Sequence, residues 1–128
     1  MNINHIAIFV QDLEKTKTFY EKYFNAKANE LYHNPKTGLK TYFLSFDSDT
    51  RLEIMTKPNI SVSLDCSKEQ MGYTHLAISV GEEKAVDILT DRLRNDGYVI
   101  YSEPRRTGDG YYESCVSDPD GNRIEIVA

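Results

Sequence analysis

The sequence is short of positive charge. Its 15 Lys and Arg stand against 20 Asp and Glu, a net charge of −5, and the only adjacent basic pair is Arg105-Arg106. Binding to a phosphate backbone needs clustered cations, so a nucleic-acid partner is not expected. No run approaches the roughly 20 apolar residues that span a bilayer, so no membrane partner is expected either. The N-terminus has no basic stretch followed by an apolar one, and no secretory signal is read there. Cysteine is scarce: Cys66 and Cys115 fit no CxxC spacing. Two scattered thiols without a signal suit a reduced, cytoplasmic setting, with a disulfide the less favoured alternative. Cys115 has no base near it in sequence and reads as a packing residue. No Ser/His/Asp arrangement is evident. The turn Thr107-Gly108-Asp109-Gly110 is not a phosphate loop, because no helix follows it.

What is present is an ordinary globular composition. The chain has 128 residues, 40% hydrophobic and 11% aromatic, enough for one domain with a buried core. Residues 3–10 alternate like a strand, with Ile6, Ile8 and Val10 on one face and His5, Ala7 and Phe9 on the other. Asp12 suits a helix N-cap, and Leu13, Thr16, Phe19, Tyr20 and Tyr23 form an amphipathic stripe over about 13–25, with Asn25 as the stop. A weak strand at 27–33 carries His33, read as solvated, up to the turn Asn34–Gly38. Strands are expected at 39–46 (Tyr42, Leu44 and Phe46 on one face) and 51–57. Residues 58–72 are a polar linker with a short irregular strand at 60–64. A strand at 73–80 opens the second half. The helix that follows has Ala85, Val86, Leu89 and Leu93 as its stripe and ends at Asn95-Asp96-Gly97. Strands at 98–103, 111–117 and 123–127 complete the chain. The order is β-α-β-β-β, linker, β-α-β-β-β. A repeat of about 70 residues is too long for a solenoid unit and fits a duplicated module.

Each half carries a His early and a Glu late. His5 and Glu53 are 48 positions apart, and His75 and Glu125 are 50 apart. If each helix covers the isoleucine and leucine face, all four residues lie on the opposite face of their strands. Taken singly, each could be an ordinary surface residue; the recurrence with matching flanks is what points further. A buried carboxylate is costly unless paired or bound to a metal. Mixed imidazole and carboxylate donors favour Zn, Ni, Co, Mn or Fe(II) over Mg or Ca. Such an ion polarises adjacent oxygens, and a loosened glutamate could act as general base. Arg105 and Arg106 are either an exposed basic pair or a clamp for an anion. Tyr111 and Tyr112 must face opposite ways along their strand.

The segments NHIAIFVQDLEKTKTFYEKYF, THLAISV, YYES and SDPDGNRIEIV resemble the vicinal oxygen chelate (glyoxalase, bleomycin resistance and dioxygenase) superfamily, and in particular its glyoxalase I-like members. The likeness covers essentially the whole chain. It implies an α+β fold of paired βαβββ modules (about 1–57 and 73–128) forming a half-open barrel around one divalent metal. The family's ligand pattern falls on His5, Glu53, His75 and Glu125, with Ni, Co or Zn the favoured ions and Mn or Fe the alternatives. The implied reaction is the isomerisation of a 2-oxoaldehyde hemithioacetal to a thioester through an enediolate, with Glu125 preferred over Glu53 as base. The family's glutathione-binding Arg and Asn are replaced by Phe9 and Lys57. Glutathione is therefore not the expected thiol, and Phe9, Lys57, Arg105, Arg106 and Tyr111 are the candidate substrate contacts. The resemblance also implies a cytoplasmic homodimer with metal sites shared between chains. An epimerase, or a protein that sequesters a drug or metabolite, is the alternative.

Overall fold

A strand rich in β-branched residues, β1 (His5–Phe9), leads through the Asp12 N-cap into helix α1 (Leu13–Phe24). The Asp12 carboxylate accepts the Lys15 N–H at 2.9 Å and so satisfies one of the first-turn donors. The expected stripe is the buried one: Leu13, Thr16, Phe19, Tyr20 and Tyr23 all face inward. Asn25, at φ 53°, takes the left-handed conformation that ends the helix. The computed structural model describes residues 1–61, 68 and 71–128. The chain divides into two compact units, Met1–Ser63 and Leu64–Ala128.

In the first unit α1 is followed by β2 (Lys27–Ala28), β3 (Tyr32–His33), β4 (Lys40–Ser45) and β5 (Arg51–Thr56). The sheet order is β1-β5-β4-β2, with β3 also on β4, and β1 runs parallel to β5 while β4 is antiparallel to it. The single strand expected at 27–33 is therefore two short ones. Asn29 is the reason: its side-chain Oδ1 accepts the Phe43 N–H at 2.7 Å, taking the place of a ladder carbonyl. Tyr42, Leu44, Leu52 and Ile54 are buried against α1, as alternation requires. Phe19, Tyr20 and Phe24 add an aromatic cluster with ring centroids 5.2–5.9 Å apart.

The second unit consists of β6 (Leu76–Ser79), α2 (Glu83–Asn95), β7 (Ile100–Arg106), β8 (Tyr112–Ser117) and β9 (Arg123–Val127). Its order is β6-β9-β8-β7, with β6 parallel to β9 and the other pairs antiparallel. Val86, Leu93, Val116, Ile124 and Ile126 are fully buried. The α2 stripe differs from expectation at its centre. Ala85 and Leu89 are only half-buried, and Thr90 takes the middle place. Its hydroxyl lies 2.7 Å from the Val86 carbonyl and 2.6 Å from the Ser114 hydroxyl, which removes the penalty of burying it. Strand β7 runs beyond the expected 103 and through Pro104. It is an edge strand with register shifts before Arg105, where a missing N–H is tolerated. Strand β6 is shorter than expected, and His75 stands just ahead of it. Of the irregular strand expected at 60–64, residues 60 and 61 carry none and the rest lie outside the described residues, as does Cys66. The architecture is α+β, with two mixed sheets that each carry a helix on one face. No helix among the described residues is long and apolar enough to cross a membrane.

Candidate metal centre

In both units the same register brings the His to the Glu. Between β1 and β5, Ala7 lies opposite Glu53 and His5 opposite Arg51. Between β6 and β9, Ala77 lies opposite Glu125, with His75 two residues earlier. Each His is thus a diagonal neighbour of its Glu, on the sheet face away from the helix. His5 Nε2 lies 3.6 Å from Glu53 Oε2, and His75 Nε2 lies 3.1 Å from Glu125 Oε2. The β8–β9 connection delivers Glu125. There the buried Asp118 carboxylate accepts the Asp120 and Asn122 N–H groups and the Asn122 side chain, all at 2.8–2.9 Å. The DPDGN segment is thus a braced turn that sets the register of β9.

The pairs have the donor chemistry of half a divalent-metal site. Two donors each about 2.1 Å from one ion sit about 3.0 Å apart at a right angle and about 3.4 Å apart at a tetrahedral angle. The 3.1 Å pair matches that spacing, and the 3.6 Å pair would close by a few tenths of an ångström. In the first unit the tautomer supports the fit. Asn4 Oδ1 accepts from Arg51 Nη2 at 2.8 Å and lies 2.9 Å from His5 Nδ1. An oxygen that only accepts places the imidazole hydrogen on Nδ1. With its hydrogen on Nδ1, His5 would have Nε2, the nitrogen nearer Glu53, available as a metal donor. Among the described residues no group of three His, Cys, Asp or Glu side chains is gathered.

The neighbourhoods of the two glutamates differ. Glu53 Oε1 accepts the Thr41 hydroxyl at 3.0 Å. Burial pushes the Glu125 carboxyl above its usual range, with Glu113 adding to the shift and His75 opposing it. Cys115 lies opposite Glu125 in the β8–β9 ladder. Burial, with the Glu125 charge second, pushes its thiol up to about 11, which suits a packing residue and not a nucleophile.

The remaining candidates separate. Phe9 is 45% exposed on the His5 face, with Lys57 Nζ 5.3 Å from its ring centroid. Arg105 reaches Glu113 at 3.5 Å on the Glu125 face. Arg106 turns the other way, to Glu83 of α2 and the Gly110 carbonyl at 3.1 Å. Tyr111 is exposed just ahead of β8, while the Tyr112 hydroxyl donates to Asp87 of α2 at 2.8 Å. His33 is exposed, as expected. Sequence reasoning missed Asn4, Thr41, Thr74 and Glu113. Thr74 Oγ1 lies 3.0 Å from His75 Nδ1 and so stands to His75 as Asn4 stands to His5. Phe43, also missed, meets His5 edge-on at 5.3 Å. Aligning the two halves at the Glu offset of 72 pairs Thr41 with Glu113 and was the available signal.

Known proteins share this arrangement of elements. The chain is 25% identical to lactoylglutathione lyase of Escherichia coli, over 99% of this chain and 92% of that protein. It is 31% identical to the fosfomycin resistance protein FosX of Listeria monocytogenes, over 84% of this chain and 75% of that one. A solved structure, the glyoxalase family protein from Enterococcus faecalis, superimposes with a TM-score of 0.79 at 23% identity, covering 99% of this chain and 97% of the other. A sequence model of the Glyoxalase/Bleomycin resistance protein/Dioxygenase superfamily matches residues 2–126, and the chain belongs to that superfamily.

Proposed function

We propose that this protein is a divalent-metal-dependent lyase of the glyoxalase I type. Its ligands are His5, Glu53, His75 and Glu125, and its ion is Ni, Co or Zn, with Mn or Fe the alternatives. The observation that carries the reading is the His–Glu pair repeated with one register in both units. When bound, the ion would act as a Lewis acid on two neighbouring substrate oxygens and acidify the adjacent C–H. Glu125 takes that proton from the carbon bearing the sulfur and returns it to the neighbouring carbon, while the hydroxyl proton on the first carbon passes to the oxygen of the second. Nothing is gained or lost overall, so a hemithioacetal becomes a thioester. Phe9, Lys57, Arg105 and Tyr111 are the proposed substrate contacts. Arg105, on the Glu125 face, is the proposed anion clamp, since Arg106 turns away to Glu83 of α2 and the Gly110 carbonyl. An exposed phenylalanine in place of a guanidinium favours a thiol other than glutathione. The cytoplasm is the proposed setting, and a homodimer the proposed assembly.

The similarity to FosX favours a second reading, a metal-dependent reaction on fosfomycin or another oxygen-rich chelating molecule. One set of assays separates the two. Thioester absorbance is followed with methylglyoxal and a panel of thiols, and fosfomycin consumption is measured in parallel, with Ni, Co, Zn or Mn supplied. Turnover of a hemithioacetal, lowered about 100-fold or more by Glu125→Gln, is the expected result. Fosfomycin consumption without thioester formation would replace the first reading by the second. A Glu125→Gln variant with full activity would remove Glu125 as the base.

A further inference from the structure

The two halves of the chain repeat the His–Glu pair but not what holds it. In the first, both ligands are braced by neighbours. Thr41, on β4, donates its hydroxyl to Glu53 Oε1 at 3.0 Å, which leaves Oε2 as the oxygen turned to His5. Thr41 is itself 5% exposed, so its rotamer is fixed by packing. Asn4 accepts from Arg51 and from His5 Nδ1, and Arg51 in turn lies 4.5 Å over the Phe43 ring. In the second half the position matching Thr41 is Glu113, an acceptor, which pairs with Arg105 at 3.5 Å. Glu125 meets His75 at 3.1 Å and feels the Arg105 and Glu113 charges, but among the described residues no hydroxyl donates to it as Thr41 does to Glu53. The position matching Asn4 is Thr74, whose hydroxyl can donate to or accept from His75 Nδ1 and so leaves the tautomer free.

We infer that the duplicated site is divided by role. The first half is the fixed half, in which Thr41 and the Asn4–Arg51 pair are positioning residues that hold Glu53 and His5 in ligand geometry. In the second half Glu125 lacks such a brace among the described residues, so it would be the less constrained of the two carboxylates. The inference rests on the divalent-metal reading above. Side chains that orient metal ligands commonly contribute 10–100-fold to affinity.

The test is Co(II) affinity, measured by competition with a chromophoric chelator, together with the visible spectrum of the bound ion. Thr41→Val, close to isosteric, is expected to weaken Co(II) binding about tenfold or more and to alter the spectrum, and Asn4→Ala to do likewise. Thr41→Ser, which restores the hydroxyl, is expected to bind within about threefold of the parent. Thr74→Val is expected to stay equally close. Parent-like affinity in Thr41→Val, or a loss in Thr74→Val as large as in Asn4→Ala, would overturn the division of roles while the metal site stood. A parent protein that does not bind Co(II), Ni(II) or Zn(II) would remove the metal reading itself.

Discussion

At the scale of single residues, two side chains sit where their own chemistry is held in check. Cys115 is 8% exposed and its thiol is pushed up to about 11. The thiolate is the nucleophile, and an unhindered thiol has a pKa near 8.5. At pH 8 the native protein should therefore be alkylated at Cys115 by iodoacetamide at least about 100-fold more slowly than the urea-unfolded chain. Between pH 8 and 10 the native rate should climb about tenfold per unit while the unfolded rate levels off. Mass spectrometry of the peptide containing Cys115 reads both, and fast modification at pH 8 would contradict the burial. Thr16 is the second case. Its hydroxyl is the one buried side-chain polar atom among the described residues without a partner. A buried hydroxyl left unpaired costs about 1–3 kcal/mol. Thr16→Val keeps the shape and removes the polar atom, so it should stabilise the protein by about 1 kcal/mol in urea titration, with an unchanged m-value.

At the scale of elements, α1 is held at both ends by its own sequence. Asp12→Ala deletes the acceptor of the Lys15 N–H and should lower unfolding stability by about 1 kcal/mol, while Asp12→Ser should recover most of it. A loss confined to the Ala variant would show that the cap, and not the charge, is what matters. Elements like this one were legible beforehand because their signals are local. The three- and four-residue spacing of Leu13, Thr16, Phe19, Tyr20 and Tyr23 needs no knowledge of the rest of the fold. The alternation of Leu52-Glu53-Ile54 and of Ile124-Glu125-Ile126 already assigned each glutamate to the face away from its helix. What escaped reading depends on a neighbouring strand. Asn29 interrupts the strand expected at 27–33 by bonding to Phe43. Thr90 enters an apolar stripe because Ser114 waits across from it. The hydrogen bonds around His5 and Glu53 escaped for the same reason, since Thr41 stands 12 residues from Glu53 and Arg51 stands 47 from Asn4. Periodicity says which face a residue occupies; register between strands says whom it meets.

At the scale of the whole molecule, the duplication leaves each repeat with two of the four proposed ligands, and two ligands hold a divalent ion poorly. A site served by both repeats should bind one ion per chain, and loss of either histidine should abolish that binding. The proposed homodimer carries a stronger consequence. Suppose each site takes His5 and Glu53 from one chain and His75 and Glu125 from its mate. His5→Ala and His75→Ala proteins are then each inactive alone, yet a hybrid dimer joins the unaltered first repeat of one to the unaltered second repeat of the other. After unfolding and refolding an equal mixture, half of the dimers are hybrids and each hybrid holds one intact site, so about one quarter of the sites recover. Sites contained within single chains give no recovery, because every chain in the mixture lacks one ligand. Nickel content and turnover measured on the same refolded sample give two independent readings. Recovery of about a quarter in both would establish sites shared between chains. Recovery in neither, from a mixture in which one variant is 15N-labelled so that its hybrid content can be verified by mass, would place all four ligands of a site within one chain.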